Sequence, residues 1–451
     1  MQNNKYEKYK NSDVSWVGEI PAEWRVTKVG NAFKISMGKM VQPKPKNNHD
    51  YLVPYLKAMN VQEGFIKDDQ IDKMYASPKE VLQLSIMQGD VLVCEGGDAA
   101  RSTVVKSILE GTIIQNSLHR VRSTLKGYNI YLHYVLNAVR YSGFINVLVN
   151  KATIAHFTKE KFAALKICLP PLYEQIQIAS FLDQKAAEIE SLISDKERLI
   201  SLLKEQRQAV ITEAVTKGLK PGVRMKDSGK WIGEIPEHWN LSRLDFKCRV
   251  KARLGWKGLT ASEYIDDGFI FLATPNIKNR NIDFENVNYI SEQRYLESPE
   301  IMLEVNDVLL TKDGSTLGTV NIVRDLPRPA TVNSSIAVIR PIKDIEGTFL
   351  YWVISSSNYQ QIIQQFKDGM GVPHLFQSDI NKFTIVVPPI DEQKQIAKFL
   401  DDKTLEIDDL ISNIRLQVES LTEYRQSLIY EAVTGKIDVR NYAASELEVE
   451  I

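Results

Sequence analysis

The sequence predicts an α+β chain in which two globular domains alternate with two long helices that pair as an antiparallel coiled coil, a pseudo-twofold internal repeat. Three observations carry this. The stretches 172–216 and 390–434 each hold an unbroken heptad seam. Offsets of 215 to 218 residues relate the motifs of the first half to those of the second. The stretch ahead of each seam mixes short β-branched runs with helical ones, and helix and strand in one compact body make an α+β domain.

Residues 1–170 form the first globular domain. Strands are expected in VLVCEGG, STVVKSI, TIIQNS and RVRS, β-branched runs bounded by Gly, Asn and Asp. Helices follow at 128–137 and 144–149, and a last strand at 165–169 runs into Pro170-Pro171. Residues 171–220 form the first long helix. Its seam steps by three and four through Ala179, Leu182, Ala186, Ile189, Ile193, Lys196, Ile200, Leu203, Arg207, Val210 and Ala214, and nine of these eleven are apolar. Such a seam makes a helix lie along another helix. The double proline bars extension backwards, and Gly218 with Pro221 ends the helix.

The second globular domain, 221–387, repeats the first. Trp16-Val17-Gly18-Glu19-Ile20-Pro21-Ala22-Glu23-Trp24 recurs as Trp231-Ile232-Gly233-Glu234-Ile235-Pro236-Glu237-His238-Trp239, and Asp90-Val91-Leu92 as Asp307-Val308-Leu309. Paired tryptophans at this spacing read as core anchors. The second long helix, 388–438, carries the matching seam through Leu400, Ile407, Ile411, Val418, Leu421 and Arg425, and 439–451 is left as a C-terminal tail. The domains diverge most at 40–80 and 255–300. One scaffold with two sets of loops implies two different ligands.

The totals exclude several classes. With 43% hydrophobic and 25% charged residues the composition is that of an ordinary soluble chain, and no apolar run approaches membrane-spanning length. The polar start is unlike a signal peptide, and Cys94, Cys168 and Cys248 stand apart from one another, so a cytoplasmic location is expected. Neither GxxxxGK[ST] nor HExxH occurs, and the double prolines lack the Asn and aromatic residue of a methyltransferase Asn-Pro-Pro-Tyr/Phe motif. A reader without chemistry of its own is expected, and no metal site.

A net charge of −1 says nothing for nucleic acid, so the argument is local. Lys34, Lys39, Lys44 and Lys46 follow one another without an acid, as do Lys247, Arg249, Lys251, Arg253 and Lys257 at the matching place. Phosphate neutralisation by Lys and Arg supplies most sequence-independent DNA affinity; the bland alternative is a sheet edge guarded by lysines. Small-residue loops after each Asp-Val-Leu strand hold Arg101, Ser102 and Thr103 in one copy and Lys312, Ser315 and Thr316 in the other. These residue types can read base edges, or simply close a hairpin. Asn60 and Asn276 sit in matched loops, where Asn either bonds adenine or closes a turn. His156 and His374 precede a short helix and suit capping or packing.

Pro-Pro-Leu/Ile-x-Glu-Gln-x-x-Ile-Ala-x-Phe-Leu-Asp opens each long helix, at 170–183 and 388–401. Together with the Trp motif ahead of each domain, this closely resembles the specificity subunit of Type I restriction–modification systems, over essentially the whole chain. The resemblance implies two target recognition domains, each reading one half of a bipartite, asymmetric site in double-stranded DNA. It implies that the helices space them and dock modification (methyltransferase) subunits carrying S-adenosylmethionine. It also implies recruitment of restriction subunits that use ATP and Mg, and no enzymatic activity or cofactor in this chain. A duplicated protein-binding scaffold with a coiled-coil spacer is the alternative from another class.

Overall fold

The computed structural model describes residues 5–107, 110–148, 156–229, 232–253, 259–278, 280–365 and 374–442. The chain divides into two compact units, 1–196 with 416–451, and 197–415. Each is a globular domain together with about half of each long helix, so the units cut across the sequential division, and each helix contributes to both.

In the first unit, Tyr9–Asn11 and Glu19–Pro21 form a hairpin, and Arg25–Lys28 pairs antiparallel with Lys166–Leu169. The main sheet is antiparallel, in the order Lys34–Met37, Leu118–Arg122, Val91–Cys94, Ser102–Val104. Its central strand Val91–Cys94 is wholly buried, which accounts for the continuous apolar run. The helix Asn129–Tyr141 packs on this sheet. A smaller sheet joins Asp72–Ala76, Tyr51–Leu56 and Ile113–Ile114, the last pair parallel. The second unit repeats every pairing. Its main sheet is Cys248–Ala252, Ile336–Pro341, Val308–Thr311, Val320–Ile322, and its smaller sheet is Asn288–Ile290, Phe269–Leu272, Ala330–Val332. Two strands of each smaller sheet lie in the diverged stretches, while the third, Ile113–Ile114 or Ala330–Val332, lies beyond them, and Ile113–Ile114 falls in the expected strand TIIQNS.

Pairing of Arg25–Lys28 with Lys166–Leu169 brings the start of the globular part to its end, and places Trp24 against the opening turn of the long helix. The fully buried Trp24 donates from Nε1 to Glu174 at 3.1 Å, and Tyr6 donates its hydroxyl to the same carboxylate. The neighbouring Gln175 accepts from Tyr128 N and donates to the carbonyls of Pro170 and Lys126. In the second unit Trp239 and His238 meet Glu392, and Gln393 accepts from Glu346 N and donates to Pro388 and Asp344. The recurrent Glu-Gln is thus a lock between domain and helix, made of groups that would be costly to bury unpaired. The anchor role expected of the tryptophans holds for Trp16, Trp24 and Trp239; Trp231 lies outside the described residues.

The long helices span Leu172–Lys217 and Ile390–Val433. Gly218, directly beyond the first, and Gly435, one residue further out from the second, take positive φ of 76° and 70°, the left-handed turn that stops a helix and that Gly adopts without strain. A Cβ on Gly435 would lie 2.3 Å from Pro21 Cδ, so this stop also requires the absence of a side chain.

The helices pair antiparallel. In the first unit Arg425 Nη1 meets Glu190 Oε2 at 2.6 Å and Lys196 Nζ meets Gln417 Oε1 at 2.6 Å; in the second, Arg207 Nε meets Asp408 Oδ1 at 2.9 Å. Partners fall on one helix as numbers rise on the other. Leu182, Ile189 and Ile193 pack with Val418, Leu421 and Leu428, and Ile200 and Leu203 with Ile407, Ile411 and Ile414, while Leu400 is buried in the second unit's core. The polar seam residues Lys196, Arg207 and Arg425 are each matched to a cross-helix partner, as register-setting residues are. Of the tail assigned to 439–451, Val439 is buried and Tyr442 packs edge-on against Phe181; 443–451 lie outside the described residues. Among the described residues no helix is long and apolar enough to cross a membrane.

Candidate nucleic-acid interface

Each main sheet exposes one edge strand, Lys34–Met37 or Cys248–Ala252, hydrogen-bonded on one side only. In the second unit, alternation buries Cys248 and Val250 and turns Arg249 and Lys251 outward. The loop 312–316 follows the central strand of the same sheet and exposes Ser315 and Thr316. Lys312 bonds Asp313 at 2.9 Å, and Asp313 also accepts from the half-exposed His374. The His374 ring stands edge-on to Phe376, 4.3 Å between centroids, and Phe376 is 61% exposed at the start of a short helix. An exposed aromatic ring, two outward cations and two hydroxyls are the groups that stack on bases, neutralise phosphate and read base edges. Arg249 lies in the basic run that the sequence singled out, and the alternation of the edge strand turns it outward. Phe376 was not among the sequence-derived candidates, and nothing local marked it.

In the first unit, Lys44 and Lys46 are exposed on a loop held by Asp50, which accepts from Gln42 and from Lys46 N; the backbone bond holds its carboxyl below the usual range. Arg101 is partly exposed, with one guanidinium nitrogen on Ala58 O at 2.9 Å and another on Asp98 at 3.4 Å. The loop before it carries Ala100 at φ 64°, a strained position for a residue with a Cβ.

Several candidates are overturned as base or phosphate contacts. Lys39 is not free: its ammonium bonds Glu80 at 2.5 Å and Gln42 at 2.7 Å with 10% of the side chain exposed. Asn60 and Asn276 are buried turn residues. Asn60 accepts from Lys57 N and donates to Lys67 O and Gln70 O; Asn276 accepts from Ala273 N and donates to Asn286 O. Each amide is consumed by its own loop, leaving nothing for adenine. Ser102 and Thr103 are fully buried on a strand, Ser102 bonded to His133 Nδ1 at 2.9 Å. Burial holds the His133 imidazolium down at about 4, so that pair is neutral and structural. Arg253 is 3% exposed, directed at Val332 O and the Thr331 and Ser298 hydroxyls, with its guanidinium over the Phe271 ring. Lys257 lies outside the described residues. What remains on the surface is Lys44, Lys46, part of Arg101, Lys251, Ser315 and Thr316, with Lys312 largely committed to Asp313.

The family model for the Type I restriction modification DNA specificity domain matches twice, at residues 21–197 and 255–420. The chain belongs to this family. The first match takes in most of a globular domain and the second begins beyond the Trp motif and edge strand of its own, and each runs through the opening half or more of the helix that follows. Among curated relatives, the Type I restriction enzyme MjaVIII specificity subunit of Methanocaldococcus jannaschii is 25% identical over 432 residues, covering 94% of this chain and 95% of its own. The EcoKI specificity subunit of Escherichia coli is 22% identical, covering 93% and 90%. A chain solved in a study of assembly and conformational transition of the type I R-M system superposes with a TM-score of 0.72 at 16% identity, over 93% of this chain and 99% of that one. The HsdS subunit from Thermoanaerobacter tengcongensis gives 0.55 at 16% identity, over 93% and 98%. These two share the fold.

Thr103 offers a direct check on the reassigned residues. Its hydroxyl is buried with no partner among the described residues. Thr103→Val removes an unsatisfied group, and is expected to raise stability by about 1 kcal/mol. The DNA sequence selected should not change. Denaturant unfolding and methylation-site mapping of the variant read the two outcomes; a changed site would return Thr103 to the interface.

Proposed function

We propose that this chain reads DNA for a Type I restriction–modification complex, each globular domain taking one half of a bipartite site. The observation that carries this is the specificity-domain match occurring twice, on two domains of one topology. Their exposed groups differ: Lys44, Lys46 and Arg101 in the first, and Arg249, Lys251, Ser315, Thr316 and Phe376 in the second. Different reading groups on one scaffold give an asymmetric site, and a site read in two places leaves a gap that nothing contacts.

The long helices hold the domains and present a further apolar stripe. In the first unit Leu192, Leu416 and Tyr424 are about half exposed, as are Leu199, Leu202, Leu405 and Leu410 in the second. Half-exposed leucines along each unit's share of the helix pair suit a docking face, here for modification subunits, which would carry S-adenosylmethionine. Restriction subunits using ATP and Mg would join that assembly. The chain itself acts as a non-catalytic cytoplasmic component, with double-stranded DNA as its ligand.

Long-read methylation mapping of a host expressing this chain with its modification subunit, against a host lacking the chain, tests the reading. A chain-dependent two-part motif with a constant unread gap is the expected result. No new methylation from a complex shown to assemble would leave the protein-binding scaffold in its place.

A further inference from the structure

The second unit holds a charged network that extends the seam pair Arg207–Asp408 into the globular domain and that the DNA-facing groups do not explain. The first long helix supplies Arg207 and the second supplies Asp401 and Asp408. Arg207 grips Asp408 with two parallel bonds of 2.9 and 3.2 Å. Two further arginines reach in from the globular domain. Arg324 Nη2 lies 3.0 Å from Asp401 Oδ1, which also accepts from Trp352 Nε1 at 3.1 Å. Arg280 Nη2 donates to the Asp401 carbonyl at 3.2 Å, with Nη1 3.8 Å from Asp408. The rings of Trp352 and Tyr351 lie beneath the guanidinium groups of Arg207 and Arg324.

The origin of the two reaching arginines matters. Arg280 lies three residues beyond Ile277, and Arg324 two residues beyond the main-sheet strand Val320–Ile322. Ile277 and Val323 are fully buried in one small core, which the sheet Asn288–Ile290, Phe269–Leu272, Ala330–Val332 shares with Leu309, Ile336 and Val338 of the main sheet. Arg280 thus comes from the diverged stretch and Arg324 from the end of a main-sheet strand, and together they tie both sheets of the domain to the helices. Each of these arginines makes a single hydrogen bond to Asp401, and two such charge-assisted bonds from different segments fix the domain at two points.

The first unit has the same layout with weaker chemistry. At an offset of 218, Asp183, Glu190, Lys106, Tyr134 and Arg425 stand for Asp401, Asp408, Arg324, Trp352 and Arg207. Asp183 accepts from the Tyr134 hydroxyl at 2.5 Å, and burial pushes its carboxyl up. Arg280 has no cationic counterpart: residues 61–64 are Val, Gln, Glu and Gly, and Glu63 accepts from Tyr141 instead. The second domain is held ionically and the first by neutral donors.

We propose that Arg280 and Arg324, closing on Asp401 and Asp408, are positioning residues that set the attitude of the second target-reading domain on the helix pair, and thereby which gap lengths the complex accepts. This rests on the reading of the chain as a bipartite DNA reader. A domain held at one angle meets its half-site at one distance; a domain free to rock meets it at several.

The test uses the full complex with its modification subunits. Methylation rates are compared on the native bipartite site and on sites whose gap is one base pair shorter or longer. Arg280→Ala with Arg324→Ala should raise methylation of altered-gap sites relative to the native site at least tenfold, with both half-site sequences unchanged, and Lys at both positions should restore much of the discrimination. The single Arg280→Gln, at a side chain one-third exposed, serves where the double variant fails to assemble, and should relax the gap to a lesser degree. Unchanged gap discrimination in an assembled variant overturns the proposal, and so does loss of one half-site sequence, which would make the arginines DNA contacts. If the unaltered complex makes no bipartite methylation, it is the DNA-reading function that fails. The latch is then read by hydrogen exchange over 270–278 and 320–326: at least tenfold faster exchange in the double variant supports it, and unchanged protection overturns it.

Discussion

Trp24→Ala is expected to destabilise the first unit more than any other single substitution considered. The indole is fully buried, stands edge-on to Tyr6 with 5.8 Å between centroids, and donates to a carboxylate, Glu174, that is itself 1% exposed. Removing a buried aromatic side chain costs about 3–5 kcal/mol through lost transfer and the cavity left behind. Glu174 also loses one of its donors, a further penalty on the order of 1–3 kcal/mol for a buried polar group. Trp24→Phe keeps most of the volume and removes only the N–H, so it separates the two contributions. Trp239→Ala should cost less in its own unit, because Glu392 is more exposed than Glu174 and can be solvated once the indole is gone. The two units need not unfold together, so the readout is hydrogen exchange followed separately in 129–141 and 347–355. Equal loss of protection in both segments on Trp24→Ala would contradict the separate locks.

Adding four residues to each long helix, between Lys196 and Glu197 and between Arg415 and Leu416, is expected to lengthen the unread gap and leave both half-sites as they were. Four residues are about one turn and add about 6 Å. Such an insertion keeps the apolar stripe nearly in line, unwinding the coil only locally. Six ångströms is one to two base pairs at about 3.4 Å per step. Each added pair also turns the second half-site by about a tenth of a turn around the DNA, so the change in gap should be small and discrete. Methylation mapping reads it directly. A variant that assembles and methylates at the original gap, or that loses one half-site sequence, would show that the helices are not the spacer. A single inserted residue in one helix turns the seam by about 100°, and should abolish assembly.

The scaffold was legible because its signals are periodic or local. Heptad spacing names the seam from Ala179 to Ala214 without reference to any other segment, and copying it at an offset of 218 names its partner. Short β-branched runs found the main-sheet strand Val91–Cys94 and the strand Lys166–Leu169 that pairs with Arg25–Lys28, and the helix expected at 128–137 is Asn129–Tyr141. TIIQNS named the strand Ile113–Ile114, but the smaller sheets escaped as sheets because each depends on a parallel pair, such as Tyr55 with Ile113, whose members are far apart in the chain and carry no turn between them.

The candidate interface was legible only as regions. Lys39 and Lys44 look alike in sequence, yet Lys39 meets Glu80 from a helix 41 residues on, while Lys44 stays in solvent. Arg253 and Lys251 are two residues apart, yet Arg253 turns inward to Val332 and lies over Phe271. A heptad repeat specifies its own partner by shape, so the sequence by itself determined the duplication and the paired helices, whereas the meeting of Trp24 with Glu174, 150 residues apart, came only with the tertiary structure. Whether a given Lys, Arg, Asn or Thr is free to meet DNA depends on which distant backbone or carboxylate folding brings within about 3 Å of it. The tertiary structure alone decided that, and it assigned Lys39, Asn60, Ser102, Thr103, Arg253 and Asn276 to holding the domains together.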